Sequence, residues 1–393
     1  MAQIDQLFKI MHQQHASDLH LTAGSPPFLR LNGEMSKLEM KALSNEEVQG
    51  LIFEILSEKQ KRLFIENWEL DCSYTVEGLA RFRVNVFMQR KGMGAVFRLI
   101  PDKIKTAEDL KLPQELLNMI DCHKGLVCVT GPTGSGKSTT LAALVNHINE
   151  NRQAHIITIE DPIEFVHQNQ QSLVNQREVS SHTKSFANAL KATLREDPDI
   201  ILLGEMRDLE TIQLAITAAE TGHLVFGTLH TSSAHKTVDR IIDVFPAERQ
   251  DQVRTQLAES LRGVIAQTLL TKADGAGRVA AFEVMFNNKA IANLIREGKT
   301  FQIPSTMQVT RQAGNITFEQ SLQGLLSKNL ITKDQAQEAL GMTEADRKKE
   351  TDEGRANTPM TGRAAPASGV STPQSGAQAG LSSLAERFKK KSG

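Results

Sequence analysis

The spacing of hydrophobic residues changes near residue 114, and that change divides the chain before any motif is considered. Upstream, short pieces of helical and strand-like spacing alternate. Residues 5–11 read as a helix, and residues 18–22 and 28–31 as strands around the turn Gly24, Ser25, Pro26, Pro27. One helical stretch is predicted over 45–65, and strands over 80–87 and 94–99 complete an α+β domain at 1–100. Residues 101–113, polar and bounded by Pro101 and Pro113, mark a linker. Beyond it, apolar strands at 126–130, 155–159, 199–203 and 224–229 alternate with helices at 137–149, 185–194 and 208–221, the last closed by Gly222. Such alternation implies a parallel sheet covered on both faces, so the larger domain is α/β. Helical segments with weaker strands carry this domain, 114–341, to its end.

From residue 342 the text is charged, then rich in Ala, Gly, Ser, Thr and Pro without a period, which predicts a disordered tail over 342–393. Its last stretch, 381–391, has the pattern of a short basic amphipathic helix that a partner or an anionic lipid would take, although a solvated tail is the simpler reading.

Bulk properties narrow the classes of function only a little. A formal net charge of -1 and a pI near 6.8 give no general pull toward nucleic acid, and aromatic residues at 5% leave few stacking platforms for a single strand. Cys72, Cys122 and Cys128 form no C-x-x-C pair, so thiol metal and redox motifs are not expected. No long apolar run and no basic-then-apolar start is present, which predicts a cytoplasmic protein.

The chemistry begins at Gly131-Pro132-Thr133-Gly134-Ser135-Gly136-Lys137-Ser138, a G-x-x-x-x-G-K-S sequence directly after an apolar strand and before a helix. This is the context the P-loop requires: glycines let backbone N–H groups curl around phosphate oxygens, and the helix N-terminus adds its positive end. Lys137 then reaches the β/γ-phosphates and Ser138 offers its hydroxyl to Mg²⁺. A second acid belongs at the C-terminal end of a neighbouring strand, and Glu205, after Ile200-Ile201-Leu202-Leu203-Gly204, stands there in place of the commoner Asp. A carboxylate that holds the attacking water is also needed. Glu160, Asp161 and Glu164 supply candidates, with Glu160 and Glu164 equal on spacing alone. His223 and His230 bracket the strand 224–229, where a strand end beside the P-loop would sense the γ-phosphate, while His235 reads as surface. Arg81, Arg83 and Arg98 lie on the two strands before the linker. Either they are solvated strand faces, or in a ring they serve a neighbouring subunit's site, where a trans arginine stabilises the transferring phosphoryl group.

These four boxes in this order resemble the Walker A, Asp box, Walker B and His box of secretion and pilus motor ATPases. Leu173-Val174-Asn175-Gln176-Arg177-Glu178-Val179, Asp239-Arg240-Ile241-Ile242-Asp243-Val244-Phe245-Pro246 and Ala16-Ser17-Asp18-Leu19-His20-Leu21 resemble the pilus retraction (PilT) branch in particular. The resemblance implies a homohexamer of two-domain subunits, each with a PAS-like N-domain and a RecA-like ATPase domain, with ATP between the two. It implies a cytoplasmic protein at the inner-membrane base of a type IV pilus, partnered by a platform protein and a paralogous retraction ATPase, with no direct nucleic-acid contact. Carried over position by position, it makes Glu164 the catalytic base and Glu205 the Mg²⁺-linked acid. His230 and His223 become sensors, and Arg83 and Arg98 the arginines of the site. Nucleotide contacts then fall to Gly131, Thr133, Gly134, Ser135, Gly136, Lys137, Ser138 and Thr139, with Glu160 and His223. One position departs from the family: its retraction motif Ala-Ile-Arg-Asn-Leu-Ile-Arg-Glu begins here Ala290-Ile291-Ala292, so an arginine is missing at Ala292. Pilus-extension or secretion ATPases of the same superfamily are the next reading, set back by the lack of a long N-terminal extension and of a four-cysteine motif. A RecA-like nucleic-acid translocase comes last.

Overall fold

The computed structural model describes residues 2–31, 33–100, 103–310 and 314–341, so the tail expected at 342–393 lies outside the described residues. Contacts gather the described residues into two compact units, those up to Leu112 with Ser138–Met206, and Pro113–Lys137 with those from Arg207 on.

The N-terminal part runs α1 (Asp5–Gln13), β1 (Asp18–Thr22), β2 (Phe28–Leu31), β3 (Glu34–Lys37), α2 (Asn45–Ile55), α3 (Glu58–Asn67), β4 (Glu69–Val76), β5 (Ala80–Gln89) and β6 (Gly92–Ile100). Its six strands form one antiparallel sheet in the order β3-β2-β1-β6-β5-β4. Helix α1 buries Leu7, Phe8 and Met11 on it, and Phe8 stacks on Phe82 of β5 at 4.2 Å between ring centroids. The single helix expected over 45–65 is two helices. Ser44 and Ser57 each close a capping box, with Glu47 and Gln60, and Leu56 between them is extended. The second box, S-x-x-Q after the S-x-x-E of the first, satisfies the next helix's orphan N–H groups, which makes the break cheap.

The remainder runs α4 (Gln114–Ile120), β7 (Gly125–Thr130), α5 (Lys137–Asn151), β8 (His155–Glu160), β9 (Leu173–Glu178), α6 (Phe186–Thr193), β10 (Ile200–Leu203), α7 (Leu209–Glu220) and β11 (Leu224–Leu229). It continues through α8 (Ala234–Asp243), α9 (Ala247–Ser260), β12 (Leu261–Thr271), β13 (Arg278–Phe286), α10 (Lys289–Arg296), α11 (Ile303–Val309), α12 (Phe318–Ser327) and α13 (Lys333–Ala339).

In the first unit, β10, β8 and β9 lie side by side in that order and all run parallel. In the second, the order is β13-β12-β7-β11, with β7, β11 and β12 parallel and β13 antiparallel to β12. Strands β7, β10 and β11 are buried at every position, as parallel strands covered on two faces must be, and this is why they read as unbroken apolar runs. The antiparallel β13 modifies the all-parallel sheet expected from sequence. Its Ala281 packs with Leu322, Ile331 and Ala336, so helices α12 and α13 cover it.

Candidate functional site

Strand β7 ends at Thr130, and the chain turns at Gly131 with φ 145°, then passes Gly134 and Gly136 with φ 78° and 89° before α5 begins at Lys137. The turn is wedged against β12. A Cβ on Gly131 would stand 2.3 Å from the Gln267 carbonyl oxygen and 2.6 Å from Ser135 Oγ. From the same residue, buried Gln267 Nε2 donates to the Ser135 carbonyl at 2.7 Å, so one side chain from a distant strand fixes the middle of the loop. Ser135 Oγ is itself buried with no hydrogen-bond partner in the structure, an orphan of the kind that calls for an explanation. Lys137 Nζ donates to the Gly131 and Pro132 carbonyls at 2.9 and 3.2 Å and stands 3.5 Å from His230 Nδ1.

His230 owes that place to register: Leu229 of β11 pairs with Thr130 of β7, so the next residue emerges beside the loop. Thr237 of α8 holds the segment, bonding Thr231 Oγ1 at 2.7 Å and approaching Thr130 Oγ1 at 3.4 Å. His223 is at the other end of the same strand, where its carbonyl accepts from Gly125 N and its ring meets the Ala218 carbonyl at 3.0 Å. The six residues of β11 separate the two histidines, seven steps of extended chain or roughly 23 Å, so His223 is not brought to the loop as a nucleotide contact of its own chain. His235, expected at the surface, is half-buried with its pKa pushed down by burial, and bonds Ser233 Oγ at 3.2 Å.

In the first unit, β8 ends in Glu160 and the adjacent β10 in Leu203. The Gly204 N–H bonds the Ile159 carbonyl at 2.8 Å, and Glu205 follows directly. A Cβ on Gly204 would stand 3.2 Å from Glu160 Cα, so the two strand ends approach as closely as backbone allows. The two glutamates that spacing left equal are unlike in three dimensions. Glu160 accepts from Thr158 Oγ1 at 2.6 Å, from Gln176 Nε2 at 3.2 Å and from Glu164 N at 3.4 Å. Burial pushes its pKa up, with those hydrogen bonds pulling the other way. It is an acceptor spent on its own loop. Glu164 presents its carboxylate outward, 44% exposed, with Arg83 at 4.0 Å.

The three arginines separate as well. Arg81 is bonded to buried Glu178 at 2.6 Å and to Ser73 at 2.8 Å, which makes it a buried structural pair. Arg98 bonds Asp18 at 2.8 Å, with 67% of its side chain exposed, and does not reach Glu164. Arg83 bonds Asp71 at 2.6 Å. That bond, with further help from Glu164 and Asp161, raises its pKa and keeps it charged. Of the two readings open for these arginines, solvated strand faces or service to a neighbouring subunit, the structure adds only that Arg83 stands 4.0 Å from Glu164 of its own chain.

Residues 67–347 match the family of type II/IV secretion system proteins. The type IV pilus retraction ATPase PilT of Pseudomonas aeruginosa is 54% identical over 335 residues, covering 85% of this chain and 97% of that protein. The chain belongs to the PilT retraction ATPase family. A twitching motility protein of Neisseria gonorrhoeae is 50% identical over 335 residues, 84% of this chain and 90% of that protein. Among solved structures, that of the pilus retraction motor PilT with bound ADP superposes with a TM-score of 0.80 at 48% identity, over 86% of this chain and 97% of that one. The fold is therefore the α/β fold of a PilT ATPase, and this PilT-family chain is a nucleotide-binding ATPase.

No three His, Cys, Asp or Glu side chains gather as a metal cage among the described residues. Mg²⁺ in P-loop enzymes takes most of its oxygens from the nucleotide and water, so the hydroxyl of Ser138 and the carboxylate of Glu205 suit it in kind. The PilT-family boxes did not disclose Gln267, Gln176 or Glu178 as residues that hold the loops. Amides and buried acids on strands carry no motif, and only the sheet register assigns them a partner.

Proposed function

We propose that this chain is a ring-forming motor ATPase, a homohexamer that hydrolyses ATP to drive retraction of a type IV pilus. The observation that carries the reading is the loop at Gly131: too tight for any side chain, clamped by Gln267, and enclosing the orphan hydroxyl of Ser135 next to Lys137. The names of the pilus-motor relatives supply the work to which hydrolysis is coupled. Residues 1–100 act as the N-domain and 114–341 as the motor domain, joined by the linker at 101–113.

In this reading the backbone of Gly131 to Gly136, with Thr133, Ser135, Ser138 and Thr139, takes the phosphates, and Lys137 places its charge on the β/γ oxygens. Glu164 accepts a proton from water as its oxygen attacks the γ-phosphorus, and the bond to the β–γ bridging oxygen breaks to release ADP and phosphate. Arg83 meets charge that develops on the phosphoryl oxygens. Glu160 keeps the loop of Glu164 in shape, and His230 reports the γ-phosphate beside Lys137. Ser138 and Glu205 would hold Mg²⁺, which would supply positive charge against the phosphate oxygens. Partners are a platform protein at the inner membrane and a paralogous retraction ATPase. No helix among the described residues is long and apolar enough to cross a membrane.

The test is ATP turnover and ADP calorimetry on the full chain. Lys137→Ala loses both turnover and nucleotide, whereas Glu164→Gln retains nucleotide and loses turnover. Wild-type turnover in Glu164→Gln removes the base assignment. The direction of work is measured separately, because Ala292 leaves helix α10 without one arginine of the retraction motif. Deletion of the gene with counting of surface fibres yields many immobile fibres for retraction and none for extension.

A further inference from the structure

The segment 173–179 resembles the retraction branch closely, and the catalytic step proposed above gives it no part. It is strand β9, paired in parallel with β8 so that Thr158 lies beside Gln176 and Glu160 beside Glu178. Residues two apart on a strand share a face, so Gln176 and Glu178 project to the same side. There they meet the loop that leaves β8 and carries Glu164.

Gln176 spans that loop. Its Nε2 donates to the Phe165 carbonyl at 2.8 Å and to Glu160 Oε1 at 3.2 Å, while its Oε1 accepts from His167 N at 2.8 Å. Glu178, 3% exposed, accepts from the Ile163 N–H at 3.1 Å. The backbone on either side of Glu164, at Ile163 and Phe165, is thus pinned from one strand. Glu178 also accepts from Arg81 at 2.6 Å, from Ser73 Oγ at 3.1 Å and from Ser181 Oγ at 2.9 Å. Arg81 lies two residues before Arg83 on β5, so the same carboxylate ties down the strand whose next same-face residue stands 4.0 Å from Glu164.

We propose that Gln176 and Glu178 are positioning residues for Glu164: β9 is the template that holds the base's loop, and Glu178 sets the strand of Arg83 against it. The inference rests on Glu164 being the base. Neither residue touches substrate. Their effect is on where the carboxylate stands when water attacks, and a displacement on the order of 1 Å at such a group costs roughly 100-fold in rate.

The experiment uses the full chain with Gln176→Leu, Gln176→Glu and Glu178→Gln, each alone and each combined with Glu164→Gln. Steady-state kcat and KM for ATP, ADP affinity by calorimetry, and single-turnover hydrolysis are measured. Gln176→Leu lowers kcat about tenfold or more, with KM and ADP affinity within about twofold, because the phosphate-binding loop is untouched. Gln176→Glu keeps the acceptor for His167 N but turns the donor into an acceptor facing Glu160 and the Phe165 carbonyl, so its loss of kcat is at least as large, and Gln176→Asn, which keeps both groups on a shorter side chain, serves if neither variant folds. In the Glu164→Gln background each substitution has no further effect, since residues that act through one group are non-additive. Equal fold-losses in both backgrounds, or a loss confined to KM or ADP affinity, overturn the proposal. If Glu164→Gln alone hydrolyses ATP at the wild-type rate, the base assignment fails instead, and the two failures are told apart by that single variant.

Discussion

Replacing Gly131 by alanine tests the cradle at its tightest point. The new methyl carbon would stand 2.3 Å from the Gln267 carbonyl oxygen and 2.6 Å from Ser135 Oγ, in a backbone conformation, φ 145°, that side-chain-bearing residues rarely adopt. Ser135 Oγ can rotate away, but the Gln267 carbonyl cannot. It belongs to β12, held in the sheet by Ala266 beside Thr130 of β7 on one side and Gln267 beside Phe282 of β13 on the other. The loop has to move instead. Free protein relieves the strain by opening the turn, and must return to the strained form to bind. The strain, of order 1–3 kcal/mol, therefore appears as lost affinity, about fivefold to 100-fold at 1.4 kcal/mol per decade. Calorimetric titration with ADP and magnesium measures it, with thermal unfolding of the nucleotide-free protein run in parallel. Gly134→Ala is the comparison: nothing lies within 4 Å of its added carbon, so only its φ of 78° opposes the change and the loss is smaller. Equal ADP affinity in wild type and Gly131→Ala would refute the argument that β12 shapes the phosphate site.

Two further outcomes follow from burial and backbone. His167 is 9% exposed, its Nδ1 has no hydrogen-bond partner in the structure, and burial pushes its pKa down to about 4 from 6.5. Between pH 6.5 and 4 the unfolded chain takes up a proton that the folded chain refuses, so this residue's contribution to stability is full above 6.5 and declines as pH falls toward 4. The loss is at most about 3 kcal/mol, from roughly 2.5 units at 1.36 kcal/mol each. Denaturant unfolding across this range shows a shallower decline in His167→Phe than in wild type, and parallel curves would refute the assignment. Gly324 lies inside α12 with nothing within 4 Å of an added carbon. Gly324→Ala raises stability by about 0.5–1 kcal/mol by lowering the entropy of the unfolded chain, and a lower melting temperature would contradict that geometry.

Much of the phosphate site was legible in the residues because its chemistry is local. A P-loop needs glycines, a lysine and a serine at fixed spacing after an apolar strand, and Gly131 to Ser138 hold all of them within one turn. The buried parallel strands were legible for a related reason, since strands covered on both faces must be apolar throughout. Strands β4 and β9 were missed because each is an edge of its sheet, with polar residues among the apolar ones. The single helix over 45–65 was misjudged at a second capping box, whose Ser57 and Gln60 are ordinary surface residues until their hydrogen bonds are seen.

The chain's own text therefore determined the class of fold, the phosphate loop and a short roster of acids, histidines and arginines. Three-dimensional packing decided among them. Glu160 turns inward to brace a loop while Glu164 faces out, Arg81 is consumed by Glu178 while Arg83 meets Glu164, and His230 rather than His223 arrives beside Lys137. Spacing along a strand fixes only which face a side chain takes. Strand order and register fix what stands opposite it, and these depend on residues tens of positions away.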